Sequence, residues 1–283
     1  MLVKTLLFAA FGASTAFAGV SRREGRPFGC GTAPPSAEHI GMSKVLAAQE
    51  AKAEESGNLT TRATINVGVY FHVVARSQTV AGGYLTDKML KDQLAVLNTD
   101  FAPHGVAFNL LGTDRTVNTG WASDGNELAM KKALRKGTYS NLNIYFQYAL
   151  DEGSLGYAYL PTSVSSGSTN FYLDGVSVNA QTVPGGSETD FNLGKTGTHE
   201  VGHWMGLYHT FEGGCTGSGD FVSDTPASAS QSSGCPVGRD SCPRAAGADP
   251  IHNYMDYSDD TCYEEFTAGQ QTRMISYWNT YRG

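Results

Sequence analysis

The sequence has few of the features that mark membrane, nucleic-acid-binding or fibrous proteins. Beyond the first eighteen residues no apolar run is long enough to cross a bilayer. With 20 Lys and Arg against 27 Asp and Glu, the formal net charge is −7, which argues against nucleic acid or an anionic membrane as the main partner. No internal repeat is present, which argues against an extended structural or adhesive protein. We therefore expect a soluble globular protein, and a monomer.

The amino end has the pattern of an export signal. Lys4 supplies a positive start, residues 6–11 are apolar, and Ala16-Phe17-Ala18 offers a small-residue cleavage site. This pattern predicts a signal peptide over residues 1–18 and a secreted protein. An N-glycosylation acceptor at Asn58, followed by Leu and Thr, is consistent with export.

Residues 19–62 differ in composition from the rest of the chain. They begin with basic residues, Gly and Pro, and continue over 36–56 with a stretch rich in Ala, Glu and Lys. That stretch predicts one exposed helix with few residues able to build a core. Two interpretations of residues 19–62 are open, a flexible extension or a removable prosegment.

Residues 63–283 have the patterns of one mixed α+β domain. Period-two alternation predicts a strand over 65–73, with further strands over 106–111 and 141–148 and an edge strand over 175–182. Helical spacing predicts helices over 86–102, 126–136, 193–205 and 267–281, the first capped by Thr86. The stretch between the last two helices has loop composition. We expect a mixed, twisted sheet backed by helices, followed by a loop-rich C-terminal lobe.

One motif carries the chemistry. Residues 199–209 read HEVGHWMGLYH. Two histidines four apart on a helix, His199 and His203, project from one face at a spacing that suits one Zn²⁺. Gly206 can turn the chain sharply and return His209 as a third ligand. Three imidazoles with one open position indicate a catalytic zinc site, in which Glu200 takes a proton from the zinc-bound water.

The motif resembles the signature of the metzincin metallopeptidases. It is followed by HNYMDY at 252–257, which resembles the methionine turn of that group. The resemblance implies that Met255 forms an apolar floor under the histidines and that Tyr257 hydrogen-bonds the tetrahedral intermediate. His252 is the rival third ligand, but it lacks the spacing after a glycine that favours His209.

A closer resemblance is to the pappalysin-like branch, peptidase family M43, and especially to extracellular metalloproteases of fungi. The segments that carry it are 199–215, 220–226, 235–236, 240–243, 249–262 and 265–270. It implies a secreted zinc endopeptidase that acts on proteins or peptides. The prosegment interpretation of 19–62 is then favoured, because a secreted protease has to stay inactive during export. A catalytically inactive zinc-binding module is the alternative, and the presence of Glu200 argues against it.

The cysteines form two groups. Spacing leaves three pairings open for the four that lie between positions 215 and 262. The resemblance implies Cys215–Cys242 and Cys235–Cys262, while a zinc site made of these cysteines is disfavoured because paired CxxC knuckles are missing. Cys30 stands apart in the prosegment. It either donates a thiolate to the zinc and keeps the enzyme latent, or remains a free or intermolecular cysteine.

Other residues have weaker assignments. Asp220, Asp224 and Thr225 are either Ca²⁺ ligands, as in related enzymes, or solvated loop residues. Thr261 stands where relatives that cut before basic residues carry a carboxylate, so broad protein degradation is the expectation. We expect structural roles for the remaining histidines, which are His39, His72 and His104.

Overall fold

The centre of the molecule is a five-stranded sheet. The computed structural model describes residues 29–56 and 64–283. The strands are β1 (Ile65–Ala75), β2 (Val106–Val117), β3 (Leu142–Gln147), β4 (Gly156–Ala158) and β5 (Val176–Asn179). Their order is β2-β1-β3-β5-β4, and β4 is antiparallel to β5 while the other three pairs are parallel. The mixed sheet of an α+β protein is therefore confirmed.

The alternation along β1 places its apolar side chains in the core. Val67, Val69, Phe71 and Val73 are fully buried, as a strand in the middle of a sheet requires. His72 is buried on the opposite face, with Nδ1 3.0 Å from the Asp114 carboxylate and Nε2 2.9 Å from Oδ1 of Asn143. His72 therefore has the structural role that the sequence predicted.

The described residues form six α-helices in addition to the sheet. They are α1 (Ala37–Glu55), α2 (Asp87–Phe101), α3 (Glu127–Leu134), α4 (Thr169–Leu173), α5 (Lys195–Trp204) and α6 (Ala268–Tyr281). The four helices predicted after residue 63 are confirmed within a few residues. Thr86 caps α2 as expected, since its hydroxyl accepts a hydrogen bond from the Met89 amide. The short helix α4 was not predicted.

The strand predicted over 175–182 is confirmed as β5, but the prediction that it forms an edge of the sheet was wrong. β5 lies inside the sheet, between β3 and β4, and the three-residue strand β4 forms the edge. Sequence patterns missed β4 because three residues that begin with a glycine show no period. This edge matters for function because it borders the histidine site.

The helix predicted over 36–56 is confirmed as α1, but the prediction that it is exposed was wrong for one of its faces. α1 buries His39, Ser43 and Leu46. Polar side chains of α1 contact the rest of the chain; the Ser43 hydroxyl lies 2.6 Å from the Tyr277 hydroxyl on α6. Helix α1 is therefore a packed element of the domain.

The chain between α5 and α6 forms a loop-rich lobe. Its described residues form no helix and no strand beyond one isolated bridge, between Asn253 and Glu265. Two disulfides, Cys215–Cys242 and Cys235–Cys262, hold these loops, and each joins residues 27 positions apart. They are the two pairs that the resemblance implied. Among the described residues, no helix combines the length and the apolarity that a bilayer crossing needs.

Candidate active site

Helix α5 carries the first half of the site. His199 and Glu200 are fully buried and His203 is nearly so. The two imidazoles project from one face of the helix with their ring centroids 4.8 Å apart. The Asp260 carboxylate holds the start of the helix, because it accepts a hydrogen bond of 2.7 Å from the backbone N–H of Leu193.

A glycine turn brings the third histidine back to the helix. Gly206 has φ 101°, and a Cβ at this position would lie 2.5 Å from Cγ of the Tyr277 ring. The position therefore needs both the backbone freedom of glycine and its lack of a side chain. After this turn, Nε2 of His209 reaches a point 3.0 Å from Nε2 of His203.

Backbone carbonyls fix the tautomers of the two helical histidines. Nδ1 of His199 lies 2.7 Å from the carbonyl oxygen of Tyr254, and Nδ1 of His203 lies 2.8 Å from that of Leu207. A carbonyl oxygen can only accept, so each Nδ1 must carry the proton. Each Nε2 then presents its lone pair to the space between the rings, as a metal ligand requires.

Burial keeps these imidazoles neutral. It lowers the pKa of His203 to about 4. Burial is also the larger cause, and the neighbouring His203 a smaller one, of the lowered pKa values of His199 and His209. Ligand atoms of the three histidines and of Cys30 all lie within 4.8 Å of one another. Neutral nitrogens converging with one sulfur at this spacing fit one Zn²⁺ ion.

Glu200 lies beside the imidazoles under the sheet edge. A Cβ at Gly156 of β4 would lie 2.5 Å from Cγ of Glu200, so the glycine makes room for the carboxyl group. Burial raises the pKa of Glu200 to about 8, and hydrogen bonds from Cys30 and Thr32 oppose this shift. The Thr32 hydroxyl is 3.0 Å and the Cys30 sulfur 3.5 Å from Oε2, whereas Oε1 has no hydrogen-bond partner among the described residues.

A sequence profile described as pregnancy-associated plasma protein-A, peptidase M43, matches residues 130–279, which is more than half of the chain. The chain belongs to the peptidase M43 family.

Relatives of known name agree with this membership. An extracellular metalloprotease of Verticillium alfalfae is 73% identical over 100% of both chains. One of Sordaria macrospora is 60% identical over 100% of this chain and 98% of its own length. Among solved structures, mature mirolysin of Tannerella forsythia with a cleaved peptide superposes with a TM-score of 0.64 at 28% identity, covering 77% of this chain and 93% of that one. The chain is a metalloendopeptidase of the metzincin group, and zinc is the metal that this group implies.

The methionine turn of this M43 chain lies directly under α5. Met255 is fully buried, and its sulfur occupies the space that a side chain at Gly202 would need. The hydroxyl of Tyr257 lies 3.2 Å from Nε2 of His209, at the open side of the histidine cluster. The structure thus places both residues beside the histidine cluster, and their roles in catalysis stay predictions.

Two of the three candidate calcium residues, Asp220 and Asp224, accept hydrogen bonds from the protein. The Asp224 carboxylate accepts from the Thr267 hydroxyl at 2.7 Å and from the Gly269 amide at 2.8 Å, so it holds the start of α6. Asp220 accepts from the backbone N–H of Val222, and burial raises its pKa to about 7. Asp220 therefore binds the backbone of its own loop, and Asp224 caps the start of α6.

Sequence reasoning missed two residues of the site. Thr32 contacts the candidate base, Glu200. It follows Cys30 by two positions, and this closeness to a candidate zinc ligand is the sequence feature that could have identified it. Gly156 gave no local signal, because only the approach of Glu200 shows why a side chain is excluded there.

Proposed function

We propose that this chain is a secreted zinc endopeptidase in which His199, His203 and His209 bind the catalytic ion. The observation that carries the proposal is the convergence of three neutral imidazoles. Two of them have their Nδ1 protons bound by carbonyl oxygens, so each of these rings offers a lone pair to one point. Their cleft also contains a carboxylate, which a purely structural zinc site does not need.

Glu200 is the proposed general base. Bound zinc would polarise the scissile carbonyl and lower the pKa of a water molecule. Glu200 takes a proton from the water and then donates it to the nitrogen of the leaving group. The Tyr257 hydroxyl, at the open side of the cluster, donates to the oxygen of the tetrahedral intermediate.

Residues 19–62 are proposed to be a prosegment that fills the cleft before activation. The part that the structure describes supports this. The Gly31 amide donates to the Gly156 carbonyl at 2.8 Å, and Cys30 pairs with Gly156 as an added parallel bridge on the sheet edge. Cys30 then supplies a fourth ligand to the zinc, while Thr32 holds Glu200. Cleavage near Arg62 would release both, and Arg22-Arg23 is another possible processing point.

The test of the proposed function compares casein degradation by the processed enzyme with and without a chelator. We expect one zinc per chain, loss of activity on chelation and recovery with zinc. Glu200→Gln should lose activity by a factor of at least about 10² while keeping its zinc. Glu264→Gln, at a carboxylate that is 71% exposed, serves as the matched control. Absence of stoichiometric zinc, or full activity of Glu200→Gln, would refute the proposal.

Several finer assignments remain predictions. A signal peptide over 1–18 and glycosylation at Asn58 lie outside the described residues, and the extracellular names of the relatives support export. A calcium ion at Asp220, Asp224 and Thr225 is tested by calorimetric titration of the full chain. Broad protein degradation and a monomeric state also remain predictions, and the cleaved peptide bound to mirolysin supports peptide substrates. An inactive zinc-binding module is not favoured in a family of proteases.

A further inference from the structure

A buried carboxylate outside the catalytic set lies behind the active-site helix. Asp100, near the end of α2, is 3% exposed. Its Oδ2 accepts a hydrogen bond of 2.6 Å from the hydroxyl of Thr198, the residue that precedes His199. Its Oδ1 lies 2.7 Å from Nζ of Lys195, in the first turn of α5. Asp100 therefore contacts α5 at two points on its first turn, directly before His199.

The same carboxylate also contacts the methionine turn. The hydroxyl of Tyr254 lies 3.2 Å from Oδ1 of Asp100 and 3.1 Å from the carbonyl oxygen of Glu264. At its other end, the carbonyl oxygen of Tyr254 accepts the Nδ1 proton of His199 at 2.7 Å. Asp100 therefore holds the hydroxyl of Tyr254, and the backbone carbonyl of Tyr254 holds the imidazole of His199.

This arrangement requires a carboxylate at position 100. Three donors converge on two oxygens, and a carboxylate is an acceptor on both. Asparagine would turn an NH₂ group toward Thr198 or toward Lys195 and Tyr254, leaving a buried donor without an acceptor. The ion pair with Lys195 also compensates the charge that burial would otherwise penalise.

We propose that Asp100 is a positioning residue for zinc. It fixes His199 from two sides, through Thr198 in the helix and through Tyr254 in the methionine turn. The proposal rests on the zinc site of the proposed function, and it assigns to Asp100 no contact with substrate or metal. Partners that orient a metal-binding histidine typically change metal affinity by about 10- to 100-fold when they are lost.

The test measures zinc affinity of the full chain by competition with a chromogenic chelator. Asp100→Asn should lower the affinity by about 10- to 100-fold. Asp92→Asn is the matched control, since Asp92 lies on the same helix in an exposed ion pair with Lys88, and its zinc affinity should equal that of wild type. Thermal unfolding of the metal-free forms shows whether each variant folds.

Two smaller changes keep the test decisive if Asp100→Asn does not fold. Tyr254→Phe and Thr198→Val each remove one hydroxyl and leave the carbonyl that binds His199 in place. Each should lower zinc affinity, and neither should add its full effect to Asp100→Asn, because all three disturb one network.

The outcomes separate this inference from the proposed function. Zinc affinity within twofold of wild type in a folded Asp100→Asn variant, with only its thermal stability reduced, would show a purely structural role and overturn the inference. If Asp100→Asn does not fold, unchanged affinity in both hydroxyl variants overturns it equally. Failure of the wild-type chain to bind zinc would instead refute the function on which the inference rests.

Discussion

Replacement of Gly206 by alanine is the sharpest test of how the third histidine reaches the site. Gly206 has φ 101°, and an added Cβ would approach Cγ and Cβ of Tyr277 to 2.5 and 2.9 Å. Helix α6 is anchored on both sides of this tyrosine, by Arg273, which donates to Glu50, and by Arg282, which donates to Asp174, so the ring has little room to withdraw. The variant must therefore distort the turn that leads to His209.

The structure gives the size of the effect. An L-residue in the left-handed region costs about 1–2 kcal/mol, and an extra carbon in a packed core costs about 1–3 kcal/mol. Together they predict a loss of about 2–5 kcal/mol. In a domain of this size each kcal/mol lowers Tm by about 2–4 °C, so Gly206→Ala should unfold about 4–20 °C lower. A displaced His209 should also weaken zinc binding.

Gly238 supplies the matched control for this experiment. It has φ 80°, and a Cβ there would meet no atom within 4 Å. Gly238→Ala therefore carries the backbone cost alone, and the difference between the variants isolates the contact with Tyr277. Thermal unfolding and the zinc content of both proteins are measured. If Gly206→Ala costs no more than Gly238→Ala and keeps full zinc, the reasoning is refuted.

Three further predictions concern latency, the disulfides and pH. Thr32→Val should raise the basal activity of the unprocessed chain because Glu200 loses its hydroxyl donor, whereas Thr32→Ser keeps the donor; equal peptidase rates for the two variants would contradict this role. Replacing both Cys215 and Cys242 by serine should cost about 3–4 kcal/mol, from the entropy of closing a loop of this length, and a change in Tm under 2 °C would rule out that estimate. Burial raises the pKa of Asp260 to about 7 in the folded chain, so the folded state binds a proton that the unfolded state releases. This stabilisation is complete below about pH 4 and is lost as the pH rises to 7. Asp260→Asn should therefore gain stability relative to wild type between pH 4 and 7 in urea unfolding, and a difference independent of pH would contradict the assignment.

The parts of the fold that depend on local pattern could be predicted. The period-two run of β1 and the helical spacing of α2 and α6 are properties of short segments, and the structure confirms them. The motif at 199–209 is equally local, because helix geometry alone places two of its histidines on one face. The glycine at position 206 then predicts a sharp turn, which brings the third histidine, His209, back to the other two.

The parts that depend on distant contacts could not be predicted. Strand β4 has three residues and forms only because β5 lies beside it. Helix α1 has a polar composition typical of an exposed helix. Two of its side chains nevertheless hold it to α6: Glu50 accepts a hydrogen bond of 2.8 Å from Arg273, and the buried Ser43 contacts Tyr277. Composition cannot distinguish a solvated polar side chain from one that meets a partner more than 200 positions away.

The sequence by itself determined which residues are the candidate zinc ligands and which carboxylate lies next to them, because both follow from spacing along one helix and one turn. The tertiary structure decided which of three disulfide pairings occurs, which strand forms the edge of the cleft, and that Thr32 and Asp100 contact the site or its supports. These features arise where segments far apart in the chain pack together. Their free energy comes from burial and hydrogen bonds between segments, and no short-range pattern records it.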